Sequence, residues 1–576
     1  MNQSRYRTEH LFQFLCFALT LGIQLWYILP LDEWIIGHDA IYHHLRVDAV
    51  VERLRFGDFL SEVNHVYFQG AGYADFAYPT TLLYIPALFR LLGCGIGASM
   101  GLFLMLCCVF TYAAAFAAVK DITGSPIAGT IAAVLYSLSQ YRLDCLFTRF
   151  ALGEVQAFLF WPLVLWGMYD LIARDAKRLW PLGVGLGGML LSHSLSTLLA
   201  CVVCAVLCLV FFKRIHADKE KWLRLSITAG LTMALTAFYW IPFLRFILLH
   251  DAALFHPVTT AENNLVDPLT MFSNVGIGAT HAGIGTLLLF ASASRVFLGA
   301  RSPLACEMRR DGLCVRFFDA CLLTGLIALF CATDRAPWKL LGVFFNSLQF
   351  SFRLYAVVTA CLAIAGGIFL YYALHGARVK RLGMLLLCAA CLLSASLHFK
   401  LINPAHAPSP SDDYYYATDA SRSVGNAEWL PIEAKYKVAE WETKTDLLEL
   451  SDGTRPTYTR ARDTFTFPVD TPCTHATLPL VWYHDYIAFD EQGNRLPVSA
   501  DEQGLVRVDL TDVTGTVTVT YAVSFATKAA FALSTITLLS LLTVLTLLRM
   551  RRKKETPQES SDPTDFTDSP SPFIKT

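Results

Sequence analysis

The chain has 576 residues, 55% of them hydrophobic and only 16% charged, against roughly 25% charged in an average soluble domain. Its 46 basic and 47 acidic residues leave a net charge of −1, and no basic face of the kind that binds a phosphate backbone stands out, which argues against a nucleic-acid partner. The sixteen cysteines fall mostly inside apolar runs, as Cys107, Cys108, Cys201, Cys204 and Cys208 do, where they act as small packing residues. Cys201 and Cys204 lie within such a run, which argues against a zinc or redox site. With Cys473 alone in a long polar segment, no disulfide framework is expected.

Taken in chain order, the apolar runs lie near 11–31, 98–118, 126–141, 154–173, 179–212, 225–247, 281–298, 315–332, 352–374, 382–398 and 526–548. Each can be matched to a hydrocarbon core of roughly 30 Å. The first ends in Trp26 and Tyr27 without a small-residue cleavage site, so it reads as a retained span rather than a signal peptide. The run 179–212 is too long for one helix and divides at Ser192-His193-Ser194. The expectation is a polytopic α-helical membrane protein of about twelve transmembrane helices. Basic loops at 174–178, 213–224, 301–316, 375–381 and 549–554 then share one side, which is the cytoplasm, with both termini. Segments 32–97, 142–153, 248–280, 333–351 and 399–525 face outside. This pattern requires Tyr78 to Leu92 to lie on or re-enter the membrane, in keeping with Tyr78-Pro79 and Pro86.

The first outer loop, 32–97, contains Gly37-His38-Asp39 followed by a helical stretch over 40–56. Ile41, Leu45, Val50, Val51 and Leu54 form an apolar face; His43, His44, Arg46, Asp48, Glu52, Arg53 and Arg55 occupy the other. Such a helix is expected in the interface plane. Asp39 stands at its N-cap, where it either caps the helix or serves chemistry. The next outer loop carries Arg142, Asp144, Arg149 and Glu154. Either Glu154 favours a helix N-terminus while the arginines snorkel, or the two guanidinium groups grip a phosphate.

Four further features are open to two readings. His193 is a turn and packing residue or an intramembrane polar contact for substrate. Asp267 and His281 flank a loop, 248–280, that is a lid or a connector. Arg353 opens a span from outside, for phosphate or for snorkelling. Tyr414-Tyr415-Tyr416, Trp429, Trp441 and Trp482-Tyr483 are sugar-stacking platforms or ordinary core aromatics. Segment 399–525 is itself charged and alternating, with strands at 477–481, 486–489, 505–510 and 516–521 and turns at Gly493-Asn494 and Gly504; it predicts a small all-β sandwich domain outside the membrane. The basic stretch 549–554 suits an anionic leaflet, and 555–576 has the composition of a disordered tail.

Several strings together resemble the GT-C superfamily of polytopic glycosyltransferases that use lipid-phosphate sugar donors. They are Gly37-His38-Asp39 with Tyr42-His43 and Arg46; Gly72-Tyr73 through Tyr78-Pro79 and Leu83-Tyr84; Tyr141-Arg142 with Thr148-Arg149 and Ala151-Leu152-Gly153-Glu154; Ser192-His193; and Tyr239-Trp240-Ile241-Pro242. Within that superfamily the chain is most similar to the bacterial 6-pyruvoyl-tetrahydropterin-synthase-related membrane proteins, with YfhO-like proteins as neighbours; the name implies no pterin chemistry. The resemblance covers most of the chain and implies the following organisation: a GT-C-like transmembrane domain over 1–398, an extracytoplasmic β-sandwich over 399–525, a last span at 526–548 and a cytoplasmic tail at 549–576.

The resemblance also implies a chemistry. Asp39 would be the catalytic base or acceptor-orienting carboxylate. Arg149, Arg142 or Arg353 would hold the departing phosphate, and Glu154 would hold an arginine or the sugar. His38, His43 and His193 are further substrate-binding candidates. The cofactor is left open, with a divalent metal ion as the candidate, although no DxD or ExD pair stands near Asp39 and no metal ligands are assigned. The expected partners are a lipid-linked sugar donor, a cell-envelope glycan, lipid or protein as acceptor, and the membrane itself. A lipid-linked glycan transporter or flippase, and a non-catalytic envelope assembly protein with the same fold, remain as alternatives.

Overall fold

A computed structural model describes residues 3–57, 59–60, 62–65, 68–74, 78–256, 259–271, 283–299, 303–310, 312, 314–374, 379–402, 405–408, 429–438, 448–461 and 464–555. Its first helices are α1 (Gln3–Trp26), α2 (Ala40–Phe56), α3 (Tyr84–Leu91), α4 (Ile96–Thr123), α5 (Pro126–Ser137), α6 (Gln140–Phe147) and α7 (Leu152–Ala157). They are followed by α8 (Trp161–Ala173), α9 (Trp180–Leu190), α10 (Ser194–Val210), α11 (Phe212–His216), α12 (Lys219–Leu235) and α13 (Ala237–Leu249). Further long helices are Val315–Cys331, Tyr355–Ala373, Val379–Ile402 and Phe525–Glu555.

Among the described residues four helical segments are long and apolar enough to cross a membrane: Ile96–Thr123, Leu152–Ala173, Ser351–Ala373 and Phe525–Arg551. A fifth is reached if α12 and α13, bent by 75° at their junction, count as one span. The figure of about twelve is thus not reached by length and composition. Many expected spans are shorter apolar helices, such as Pro126–Ser137, Trp180–Leu190 and Ser194–Val210. The run 179–212 does divide, with α9 ending at Leu190 and α10 starting at Ser194. Tyr78 to Leu92 contains only a 3-10 turn and the eight-residue α3, about 12 Å of helix and too short to cross.

At the bend between α12 and α13 the last helix repairs the backbone. Pro242 lies inside α13, and a helix broken within a membrane needs other partners for its freed polar groups. The Phe238 N–H donates to Ser534 Oγ at 3.1 Å, and Ser534 Oγ donates to the Ala234 carbonyl at 3.0 Å. The hydroxyl is therefore inserted where a direct helical bond would have run.

The C-terminal region is β-rich. One antiparallel sheet has the order Arg495–Leu496, Tyr486–Phe489, Gly515–Tyr521, Thr464–Val469, Thr459–Ala461; the other has Val498–Ala500, Leu505–Asp509, His475–Val481, Glu449–Leu450. Alternate residues point inward, as period-two strands require: Phe465, Phe467, Val469, Val517 and Val519 in one sheet, Ala476, Leu478, Leu480, Val506 and Val508 in the other, all buried. The predicted strands at 477–481, 486–489 and 516–521 fall inside these, and that at 505–510 overruns Leu505–Asp509 by one residue. This region is tied to segment 32–97. Strand Glu33–Ile36 pairs antiparallel with Ala405–Pro408, Val481 N donates to the Ala71 carbonyl at 2.8 Å, and Ala74 N donates to Tyr483 Oη at 3.1 Å. On the other side, Arg245 of α13 forms a two-bond pair with Asp485.

The helix over 40–56 is present, and Gly57 at φ +69° terminates it in the left-handed conformation that glycine adopts readily. It is not the half-immersed surface helix expected. His43, His44, Arg46 and Asp48, assigned to a solvated face, are enclosed, while Ile41 is 42% exposed. The reason is tertiary: each polar side chain meets a partner from another segment. Arg46 Nη2 donates to the Tyr78 and Pro79 carbonyls at 3.0 and 2.6 Å, and Asp48 pairs with Arg90 at 3.1 Å. His44 stacks on Phe150 with ring centres 5.4 Å apart.

Candidate active site

The two loops that carry the candidate residues are joined backbone to backbone. His38 N donates to the Thr148 carbonyl at 3.2 Å and Asp39 N to the Arg149 carbonyl at 2.9 Å. Gly37 makes this approach possible, since a Cβ there would lie 2.4 Å from Phe150 Cβ. Phe150 holds φ +53°, a left-handed conformation that costs a non-glycine residue free energy and is kept only where surrounding contacts impose it. A second glycine does the same on the far side of Phe150. A Cβ on Gly153 would sit 2.1 Å from Tyr78 Oη and 2.9 Å from His193 Cδ2. Three stretches distant in sequence, carrying Gly37, Tyr78 and His193, thus meet around one short loop.

Asp39 occupies the N-cap position of α2, yet its side chain makes no capping hydrogen bond. The capping account of this residue is not upheld. Burial raises its carboxyl above the ordinary carboxylate range, while the neighbouring Arg149, Arg353 and His38 pull it back down. His38 is exposed beside it.

Arg149, Glu154 and Arg353 form the charged centre. Arg149 Nη1 donates to Glu154 Oε1 at 2.9 Å and to Tyr141 Oη at 3.3 Å. Tyr141 Oη donates to Glu154 Oε2 at 2.5 Å. Arg353 Nε stands 3.6 Å from Glu154 Oε1, and its Nη1 donates to the Leu348 carbonyl and to Gln349 Oε1, both at 2.9 Å. Phe352 lies against Arg149, 5.0 Å from the guanidinium carbon. Among the described residues, every side-chain hydrogen bond of Arg149 leaves from Nη1.

The other candidates separate from this centre by degrees. Arg142 is turned inward and fully buried, donating to Gln24 Oε1 at 2.6 Å and the Ser137 carbonyl at 2.8 Å. The expected Arg142–Arg149 phosphate grip is therefore not formed; the second arginine of the centre is Arg353, from a segment about 200 residues later. His43 is a structural link, accepting from Leu152 N at Nε2 over 3.3 Å, and burial and Arg46 hold it well below the usual histidine range. His193 caps α10, its Nδ1 accepting from Ser196 N at 3.3 Å, which favours the turn reading, although its ring borders Tyr78 and Gly153.

Loop residues around the site are stapled rather than loose where described. Ser351 Oγ donates to the Asn264 carbonyl at 3.0 Å, and Asn264 Nδ2 donates to the Gln349 carbonyl at 3.2 Å, so 259–271 braces the segment that carries Arg353. Asp267 turns its carboxylate on the Leu269 N–H at 2.7 Å. His281, Tyr414 to Tyr416, Trp441 and the tail from 556 lie outside the described residues. Tyr483 and Trp429 are buried and Trp482 borders His250, as core and contact aromatics would be. Residues missed in the sequence are Tyr141 as the hydroxyl between Arg149 and Glu154, and Phe150 as the strained hinge; the glycines at 37 and 153 were the available signal.

Among the described residues no group of three or more His, Cys, Asp or Glu side chains is placed to hold a metal ion. Near Asp39 the other carboxylate, Glu154, is already engaged by two guanidinium groups. That donor set suits an anion better than a divalent cation.

No family model and no curated protein matches the chain. Among solved structures it is similar to arabinofuranosyltransferase AftD from mycobacteria, at 16% identity and a TM-score of 0.40 over 69% of this chain and 28% of that one. It is similar to ArnT from Cupriavidus metallidurans bound to undecaprenyl phosphate, at 16% identity and 0.38 over 74% and 71%. A third is the Archaeoglobus fulgidus oligosaccharyltransferase in its apo form, at 12% identity and 0.41 over 70% and 57%. The chain thus spans under a third of the length of AftD.

Proposed function

We propose that this chain is a GT-C-type glycosyltransferase of the cell membrane, moving a hexosyl or pentosyl unit from a polyprenyl-phosphate-linked donor to an extracytoplasmic cell-envelope glycan, lipid or protein. In this reading both termini are cytoplasmic, the site faces outside, and the chain falls in the 6-pyruvoyl-tetrahydropterin-synthase-related group that its motifs resemble. The acceptor hydroxyl oxygen attacks C1 of the sugar and Asp39 takes the hydroxyl proton. The bond from C1 to the phosphate oxygen breaks, its electron pair leaving with the lipid phosphate, and Arg149 and Arg353 stabilise that charge. A carboxylate of raised proton affinity is a stronger base, and the same arginines that meet the phosphate keep it ionised. Glu154 fixes Arg149 from one edge and leaves the rest of the guanidinium fork for the donor. A divalent metal ion remains the candidate cofactor, and no step here is routed through it.

The observation that carries the reading is the uncapped Asp39 held against Arg149 by the 2.9 Å backbone bond. The test uses purified chain with a panel of radiolabelled polyprenyl-phosphate sugars, comparing wild type, Asp39→Asn and Arg149→Ala. Saturable donor binding lost in Arg149→Ala, with turnover or slow hydrolysis lost in Asp39→Asn, supports it. A well-folded wild type that binds no donor overturns it in favour of a transport or assembly role.

A further inference from the structure

Away from the outer site, α9, α12, α13 and the last helix, Phe525–Glu555, enclose a groove of about 1040 Å³. Its walls are apolar, with Val184, Leu231, Leu235, Leu538 and Leu545 among them. Glycines 183 and 187 on α9 let α12 approach closely, since a Cβ on either would stand 3.1 to 3.2 Å from Thr228 or Thr232. One end closes at the bend, where Thr236, Phe238 and Ser534 line it. The other end is basic: Lys177 and Arg224 line it, and Arg549 follows Leu545 by four residues on the last helix, hence on the same face. Lys177 and Arg224 each also touch an exposed carboxylate, Asp175 at 2.9 Å and Glu220 at 2.6 Å.

We propose that this groove binds one anionic phospholipid from the leaflet bordering the basic loops, acyl chains between α9, α12 and the last helix and phosphate at Lys177, Arg224 and Arg549. Depth selects the occupant. Arg224 and Leu235 lie eleven residues apart on α12, about 16 Å at 1.5 Å per residue. On the last helix the lining runs from Phe531 to Leu545, fourteen residues or about 21 Å; both walls stop short of a roughly 30 Å core, which suits one leaflet's lipid better than a long polyprenyl chain. The groove ends at the bend, and none of its lining residues belongs to the candidate active site. The inference therefore does not depend on the glycosyltransferase reading.

The full chain, purified in detergent, would be examined by native mass spectrometry with added phosphatidylglycerol, phosphatidylcholine or undecaprenyl phosphate. The expected result is one retained phosphatidylglycerol per chain, preferred over phosphatidylcholine. K177Q, R224Q and R549Q should each weaken that preference, by about five-fold per charge removed. Thr535→Trp, which fills the groove from an exposed position on the last helix, should abolish retention of both phospholipids. Equal retention of the two phospholipids, unchanged in the charge variants, overturns the proposal. So does displacement of phosphatidylglycerol by undecaprenyl phosphate that survives in Arg149→Ala, which would make the groove a polyprenyl site. Melting temperature in phosphatidylcholine nanodiscs reports folding of each variant, and R224K, which keeps the charge, should restore retention if R224Q loses it.

Discussion

The Asp39 amide donates to the Arg149 carbonyl at 2.9 Å, so the candidate base and the candidate phosphate ligand are joined directly, backbone to backbone, between two loops more than 100 residues apart. The contact exists because Gly37 has no side chain to meet Phe150. Gly37→Ala would force a Cβ to within 2.4 Å of Phe150 Cβ, and overpacking of this kind costs about 1–3 kcal/mol. We expect a lower unfolding midpoint in denaturant and a larger loss of kcat than of donor affinity. Unchanged turnover in a destabilised Gly37→Ala protein would show that the loop junction does not set the geometry of the reaction.

Asp39 stands at a helix N-cap without capping it. Replacing a capping Asp by Ala costs about 1 kcal/mol. Asp39→Ala should therefore change stability by less than about 0.5 kcal/mol, well short of the usual cap penalty, while turnover falls by about 10²–10⁴-fold, the range for a lost general base. A clear stability loss with activity intact would restore the capping role.

The pH dependence follows from the direction of each shift. Asp39 is raised above the ordinary range by burial and partly restored by Arg149 and Arg353. Turnover should thus rise with pH along an acid limb whose midpoint lies above that of a free carboxylate. Removing the Arg149 charge, as in Arg149→Gln, should move that midpoint upward in whatever activity remains; a downward move would contradict the electrostatics. For stability, a raised carboxyl makes folding costlier above its unfolded value, and the cost is relieved as pH falls through the folded value. His44 acts oppositely. Burial pushes it down to about 4, so the chain loses stability as pH falls from about 6.5 toward 4. Melting curves of His44→Phe should show a flatter acid dependence than wild type.

Glu154 lies between Arg149 and Arg353. Glu154→Gln leaves buried guanidinium charge uncompensated, and breaking a buried pair in this way costs about 3–5 kcal/mol. In urea titrations Glu154→Gln should be the most destabilising single change in the centre. Adding Arg149→Gln should recover part of the loss. Strict additivity of the two would mean the pair is not coupled.

Ser534 bridges Phe238 N and the Ala234 carbonyl. Ser534→Ala should cost about 1 kcal/mol, within the range for interhelical hydrogen bonds in membranes. Hydrogen exchange at Phe238 should be faster in that variant. Unchanged protection there would mean that the backbone of α12 and α13 closes without the last helix.

The amino-acid sequence by itself determined the apolar, membrane-type character, the division of 179–212 into α9 and α10, most of the strands of the C-terminal region and the segments that supply the candidate site. These rest on local signals: apolar length, period-two alternation, and the short strings Gly37-His38-Asp39 and Gly153-Glu154. It also placed Asp39 at the start of α2. Only the tertiary structure decided that this N-cap is left unused, that Arg353 and not Arg142 joins Arg149, and that the polar face of α2 is enclosed. Those outcomes depend on which distant segment supplies a partner: Gln24 and the Ser137 carbonyl draw Arg142 inward, and the Tyr78 and Pro79 carbonyls satisfy Arg46. Local periodicity records a residue's face on its own helix; it holds no information about the loop that comes to lie against that face, and burial of a charge is settled by that loop.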